Sequence, residues 1–235
     1  MHWRDRRMKR FAYPRMDYPA LEARHISECR IFANRNDLIA SLESAKGGVI
    51  AEVGVAAGDF SAIMMKCLRP TKFVAIDIFK MHQVPVVGTT REALFEGMSQ
   101  LEFYTRRFAD RGNQVVIEEG LSHERLAGYP DRFFDLIYID AAHDYESVKR
   151  DALVAKDKVK ADGYLIFNDY IMLDHYHGVP YGVVQAVNEL VFEEDWHLVG
   201  FALQQEMFCD VAIQKAPDSV QWDGEHKLSQ LEIER

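Results

Sequence analysis

Cysteine is scarce: Cys29, Cys67 and Cys209 are the only three in 235 residues. Odd in number and scattered, they carry neither zinc-site nor redox-motif spacing and point to a reducing, cytoplasmic setting rather than a disulfide framework. No apolar run approaches the ~20 residues needed to cross a bilayer, so no membrane partner is expected. The N-terminal segment Met1–Arg10 is basic but lacks the apolar stretch of a secretory signal. Positive charge is in deficit, 28 Lys plus Arg against 37 Asp plus Glu for a net charge of −9, which argues against nucleic acid as a general partner. What remains, with 48% hydrophobic residues, is enough chain for one large domain with a substantial core.

The stretch from Val49 to Phe60 organises that chain. Val49, Ile50, Ala51 and Val53 read as a buried strand, Gly54 and Gly58 allow a sharp turn, and Ser61 to Leu68 has helical character. A strand, a glycine turn and a helix leave first-turn amides and bare backbone facing the loop, a setting for a nucleotide-like ligand. Dinucleotide sites use G-x-G-x-x-G. Here the pattern is Glu52-x-Gly54-x-x-x-Gly58, with a carboxylate that would repel a pyrophosphate but help to hold a cationic ligand. The pattern resembles the first motif of class I S-adenosylmethionine-dependent methyltransferases; its plainer alternative is an ordinary α/β turn with an exposed Glu.

Lys72 to Asp77 is a second apolar run ending in a carboxylate, one crossover helix after the first, so the two strands are expected to be parallel neighbours. Asp77, about 20 residues beyond the turn, then suits the hydroxyls of a ribose. A third strand is expected at Val115 to Gly120; Ser122 after it either borders an adenine or caps a helix. Phe133 to Asp140 and Ala161 to Tyr170 read as further strands, with a helix from Tyr145 to about Val159 between them. Parallel strands place their C-terminal ends side by side, so Asp140, Asn168 and Asp169 should converge, with His143 close by. Three oxygen donors at one edge suit a hard cation such as Mg²⁺. Taken singly, each has a plainer role: Asp140 as a helix cap, His143 bonded to backbone, Asn168-Asp169 as a turn.

Elsewhere the pattern predicts one or two cap helices over 21–46, a loop over 80–91 and a single helix over Glu92 to Arg111. An irregular loop follows over 171–182, where His175 and His177 are either ligands or substrate contacts. Trp196 to Leu203 and Met207 to Gln214 read as a closing hairpin with a tight Gln204-Gln205-Glu206 connection. The basic, aromatic segment 1–20 reads as a solvated or subunit-contacting extension, the latter implying a homo-oligomer, and the chain from Ala216 as a polar tail.

Two stretches, Asp140-Ala-Ala-His143-Asp-Tyr145-Glu146 and Gly163-Tyr-Leu-Ile-Phe-Asn168-Asp169-Tyr170, are similar to the macrocin O-methyltransferase type of class I methyltransferase. The resemblance implies an α/β, Rossmann-like methyltransferase fold: a seven-stranded, mostly parallel sheet with an antiparallel last strand and helices on both faces. It implies a 48–215 core between an arm with cap helices, 1–47, and a tail, 216–235. It also implies an S-adenosylmethionine site on Glu52, Gly54, Val55, Ala56, Gly58, Ser61, Asp77, Ile78, Gly120, Leu121, Ser122 and Asp140. Mg²⁺ would sit on Asp140, Asn168 and Asp169, His143 would be the general base, and the acceptor would be a hydroxyl of a small molecule of sugar or polyphenol type. A metal-independent N- or carboxyl-methyltransferase and a non-catalytic cofactor-binding protein are the rival readings. Asn168 stands where the macrocin type usually has a second acid.

Overall fold

The computed structural model describes residues 18–83 and 91–216. Segment 1–17, most of the 80–91 loop and the tail beyond 216 lie outside the described residues. In chain order the elements are α1 (Ala23–Ile26), β1 (Arg30–Phe32), α2 (Arg35–Ala40), β2 (Val49–Val53), α3 (Asp59–Leu68), β3 (Lys72–Asp77), α4 (Arg91–Phe95), α5 (Gln100–Arg107) and β4 (Val115–Glu119). They continue with α6 (Ser122–Ala127), β5 (Phe134–Ile139), α7 (Tyr145–Lys158), β6 (Val159–Phe167), β7 (Leu173–Asp174), β8 (Val179–Pro180), α8 (Val183–Glu193), β9 (Trp196–Ala202) and β10 (Asp210–Lys215).

The main sheet has the order β1-β9-β10-β6-β5-β2-β3-β4. β10 alone runs antiparallel to both of its neighbours. This is the expected mostly parallel α/β sheet, with one strand more than expected: β1 pairs in parallel with β9 at the edge. Its only partner lies about 170 residues along the chain, so a three-residue strand within a helix-spaced segment leaves no local signal.

Alternation along the strands sends side chains to opposite faces. Ala51, Val53, Val74, Ile76, Ile137 and Ile139 pack into one buried cluster with Leu126 of α6 and residues of α7 and α8. Ile50, Phe73, Ala75, Leu136 and Tyr138 pack into the other with residues of α2, α3 and α5. Helices therefore cover both faces, each fully buried Leu, Ile or Phe contributing ~1.5–3 kcal/mol.

Several local expectations shift. The helix over Glu92 to Arg111 is two, because Glu96 and Gly97 both adopt left-handed conformations and Ser99 with Glu102 then forms a capping box that starts α5. The irregular loop 171–182 contains the β7–β8 hairpin. The final connection is longer than expected, since β10 begins at Asp210 rather than Met207. None of the described helices is long and apolar enough to cross a membrane.

Candidate active site

The C-terminal ends of β2, β3, β5 and β6 are stitched together by main-chain bonds that outlast the strands. Gly54 N–H donates to Ile76 (2.8 Å), Asp140 N–H to Val53 (2.7 Å) and Asn168 N–H to Ile139 (3.0 Å). The two glycines of the turn are required for different reasons. Gly54 (φ 82°) lies directly against the Asp140 carbonyl, so a Cβ would collide with backbone, whereas a Cβ on Gly58 (φ 83°) would meet the Phe108 and Tyr104 rings. Gly54 thus sets the distance between the turn and Asp140.

A cavity of about 480 Å³ opens over these strand ends. Its walls include Gly54, Ala56, Asp77, Ile78, Gly120, Leu121, Ser122 and Asp140 from the expected cofactor set. Asp77 is rigidly held: its carboxylate accepts from Val55 N–H (2.9 Å), Phe79 N–H (2.7 Å) and the Gln100 amide (3.2 Å). Val55 thus takes part through its amide, although its side chain belongs to the core and not to the cavity wall.

Glu52, Gly58 and Ser61 are not brought to the wall. Glu52 is 2% exposed and points to the α3 face of the sheet, where Ser61 hydroxyl donates to it and Tyr104 hydroxyl donates in turn to Ser61 (3.0 Å). Burial holds its carboxyl well above the usual range, with Ser61 working the other way. Residues of the wall without a sequence signal include Gln100, 1% exposed, which bridges Asp77 and the Ala56 carbonyl, and Asp151 of α7. Ser122 does not cap α6, whose N-cap is Leu121; it is the first residue of the helix, lines the cavity, and its hydroxyl donates to Asp151 (2.6 Å).

Asp140 joins the cavity to a second group of side chains. His143 Nε2 stands 3.7 Å from Asp140 Oδ1 and 3.5 Å from Asp169 Oδ2. This nitrogen is buried without a hydrogen-bond partner at bonding distance, while the half-buried imidazole stacks on Tyr181 at 4.5 Å. Burial works against its positive charge, but Asp140, Asp169 and Asn168 outweigh that and raise its pKa above the ordinary histidine value. Asp169, in a left-handed conformation (φ 54°), is pushed up to about 6 by burial. An imidazole nitrogen set between two carboxylates is held ready to carry a proton.

Asn168 is 7% exposed, and its amide donates to Asp210 (3.0 Å), which leaves the carbonyl oxygen as the group toward His143. Arg35, at the start of α2, brings a cation the sequence reading did not foresee: its guanidinium lies 3.6 Å from Asp140 Oδ2, donates to Tyr138 hydroxyl (3.2 Å) and stacks over Phe60 (4.1 Å). Among the described residues no three His, Cys, Asp or Glu side chains are arranged to hold a metal ion. By donor type alone, the all-oxygen set of Asp140, Asp169 and the Asn168 amide oxygen is of the kind a hard cation takes.

The model of the methyltransferase-domain family matches residues 51–170, from the strand of the glycine turn to Tyr170. The chain belongs to this methyltransferase family. It is an S-adenosylmethionine-dependent methyltransferase. No curated protein matches the methyltransferase in sequence. Solved structures share its fold. The O-methyltransferase NovP is 21% identical, with 78% of this chain and 80% of that chain covered and a TM-score of 0.55. A type 11 methyltransferase structure from Sulfolobus solfataricus is 15% identical, with 83% and 99% covered and a TM-score of 0.54. The N-methyltransferase NodS from Bradyrhizobium japonicum WM9, solved with S-adenosyl-L-homocysteine, is 15% identical, with 78% and 86% covered and a TM-score of 0.52. These likenesses span O- and N-methyltransferases and leave the accepting atom to be argued from the site.

Proposed function

We propose that this methyltransferase acts on a hydroxyl of a small molecule bearing neighbouring oxygens, of the sugar or polyphenol type, in the manner of the macrocin O-methyltransferase-like group. The observation that carries the reading is His143 Nε2, buried and unpartnered between Asp140 and Asp169 beside the cofactor cavity. An acceptor O–H placed there gives its proton to Nε2 as the oxygen attacks the sulfonium methyl carbon. The C–S bond breaks, and the sulfur leaves as the neutral thioether of S-adenosylhomocysteine. Asp140 and Asp169 stabilise the imidazolium that forms, and Tyr181 fixes the plane of the ring. The site contributes chiefly by holding two reactants in line.

Mg²⁺, if recruited, would be held by Asp140, Asn168 and Asp169 and would lower the pKa of the acceptor hydroxyl. A metal-independent reading is favoured by one observation, the Arg35 guanidinium 3.6 Å from Asp140, a resident cation at the same edge.

A panel of catechols and pyranosides incubated with S-adenosylmethionine and assayed for S-adenosylhomocysteine tests the reading. Turnover that His143→Ala abolishes supports it; turnover confined to amine acceptors would overturn it. Adding EDTA separates the two versions, since the metal-assisted one loses activity and regains it with Mg²⁺.

A further inference from the structure

Beneath the acceptor edge lies a chain of side chains that the transfer reaction as described does not use. Asp210, at the start of β10, is 0% exposed, and every neighbour bonded to it is a donor. Its Oδ1 accepts from Asn168 Nδ2 (3.0 Å) and Gln204 Nε2 (3.3 Å), and its Oδ2 accepts from Tyr138 hydroxyl (2.6 Å). Tyr138, also 0% exposed, accepts from Arg35, whose guanidinium reaches back to Asp140. The chain therefore starts at one member of the edge, Asp140, and ends at another, Asn168.

We propose that Asp210 is a positioning residue for methyl transfer: from β10 it turns the Asn168 amide so that its oxygen, and not its NH₂ group, is presented to the acceptor edge. The argument follows from hydrogen-bonding chemistry. An ionised carboxylate only accepts, so the side of the amide facing Asp210 must be its NH₂. The opposite side, toward His143, is then always a carbonyl oxygen. Without such a partner, an Asn amide could rotate and offer donors to the edge, which would repel an acceptor O–H or any hard cation placed there. Tyr138 and Arg35 supply the donor and the charge that keep a buried carboxylate affordable. The inference rests on the reading of this edge as the acceptor site.

Two measurements on the full chain test it. With ¹⁵N-labelled asparagine and bound S-adenosylhomocysteine, nuclear Overhauser contacts from the Asn168 NH₂ protons are expected to Tyr138 and Gln204. In Asp210→Asn that preference is expected to be lost, with contacts to the His143 ring appearing. Contacts to His143 in the unaltered protein, or an amide indifferent to Asp210→Asn, would overturn the proposal. In turnover with the catechol and pyranoside panel, Asp210→Asn should lower kcat about tenfold while leaving S-adenosylhomocysteine affinity within about twofold, the size of effect that partners of site residues show. Asn168→Asp should be worse, because it sets two carboxylates in buried contact, and Asn168→Asp with Asp210→Asn should recover most of the loss by exchanging the pair. A double variant no better than Asn168→Asp, or a kcat loss that follows cofactor affinity, counts against positioning. Silence of the unaltered protein across the whole panel would instead strike the O-methyl reading and leave the amide orientation to the resonance measurement.

Discussion

At the cofactor turn the decisive contacts run from main-chain amides to one carboxylate, Val55 and Phe79 N–H to Asp77. At the acceptor edge they run between side chains, with Arg35, Tyr138, Asp140, His143, Asn168 and Asp210 drawn from segments that span most of the chain. A site built on backbone depends on residues that permit a conformation, above all glycine. One built on side chains depends on charge balance and on which donor meets which acceptor. Substitutions should therefore fail in different ways in the two regions, through folding and cofactor affinity in the first and through turnover in the second.

The largest expected effect tests the backbone half. Gly54→Ala forces a Cβ into the Asp140 carbonyl at a left-handed position and should cost at least about 3 kcal/mol in chemical denaturation, with S-adenosylhomocysteine binding lost. Gly97→Ala is the control: its φ is also positive (77°), but nothing lies within 4 Å of the added Cβ, so a cost of about 1 kcal/mol is expected. Equal costs would show that conformation alone, and not the approach to Asp140, makes Gly54 necessary.

Next comes the side-chain half. His143→Ala should reduce turnover by about 10² to 10⁴ and leave S-adenosylhomocysteine affinity, read by calorimetry, nearly unchanged. A matching loss of affinity would merge the two regions into one and remove the contrast. Asp77→Asn should do the reverse, weakening S-adenosylhomocysteine binding about tenfold through loss of a charged acceptor while turnover at saturating cofactor changes less.

The smallest effect concerns Glu52, buried under the turn. Its folded-state pKa is raised by burial, so its favourable contribution is present below the ordinary carboxylate value and is lost as pH rises through the folded value. Glu52→Gln removes that ionisation. Its melting temperature relative to the unaltered protein should climb between pH 5 and pH 8, and a flat difference would mean that Glu52 ionises in the folded protein as it does in the unfolded chain, with no raised pKa.

Legibility followed the same division. The turn, Asp77 and the strand ends at Asp140 and Asn168-Asp169 could be read because each is a local pattern: an apolar run of strand length closed by glycine or carboxylate. Parallel pairing then brings the ends together without further information. Gln100 and Asp151 gave no such signal, since a polar residue on a helix looks like solvated surface until the helix is docked over the cavity. Asp210 did leave a trace, a charge at the head of the apolar run Val211-Ala212-Ile213, but it was absorbed into the closing hairpin.

Sequence by itself determined the α/β class, the glycine turn and the chemical types gathered at the sheet edge, because strand periodicity and turn propensity are set within a few residues. Tertiary structure decided which carboxylates face the cavity and which are turned away. Glu52 and Asp77 both lie at strand ends, yet Glu52 points to the α3 face and Asp77 lines the cavity. It also decided the electrostatics of this edge, where Arg35 meets Asp140 from across more than 100 residues of chain and Asp210 of β10 accepts from the Asn168 amide. Those contacts depend on how α2 and β10 dock on the sheet, a property of long-range packing that no local pattern encodes.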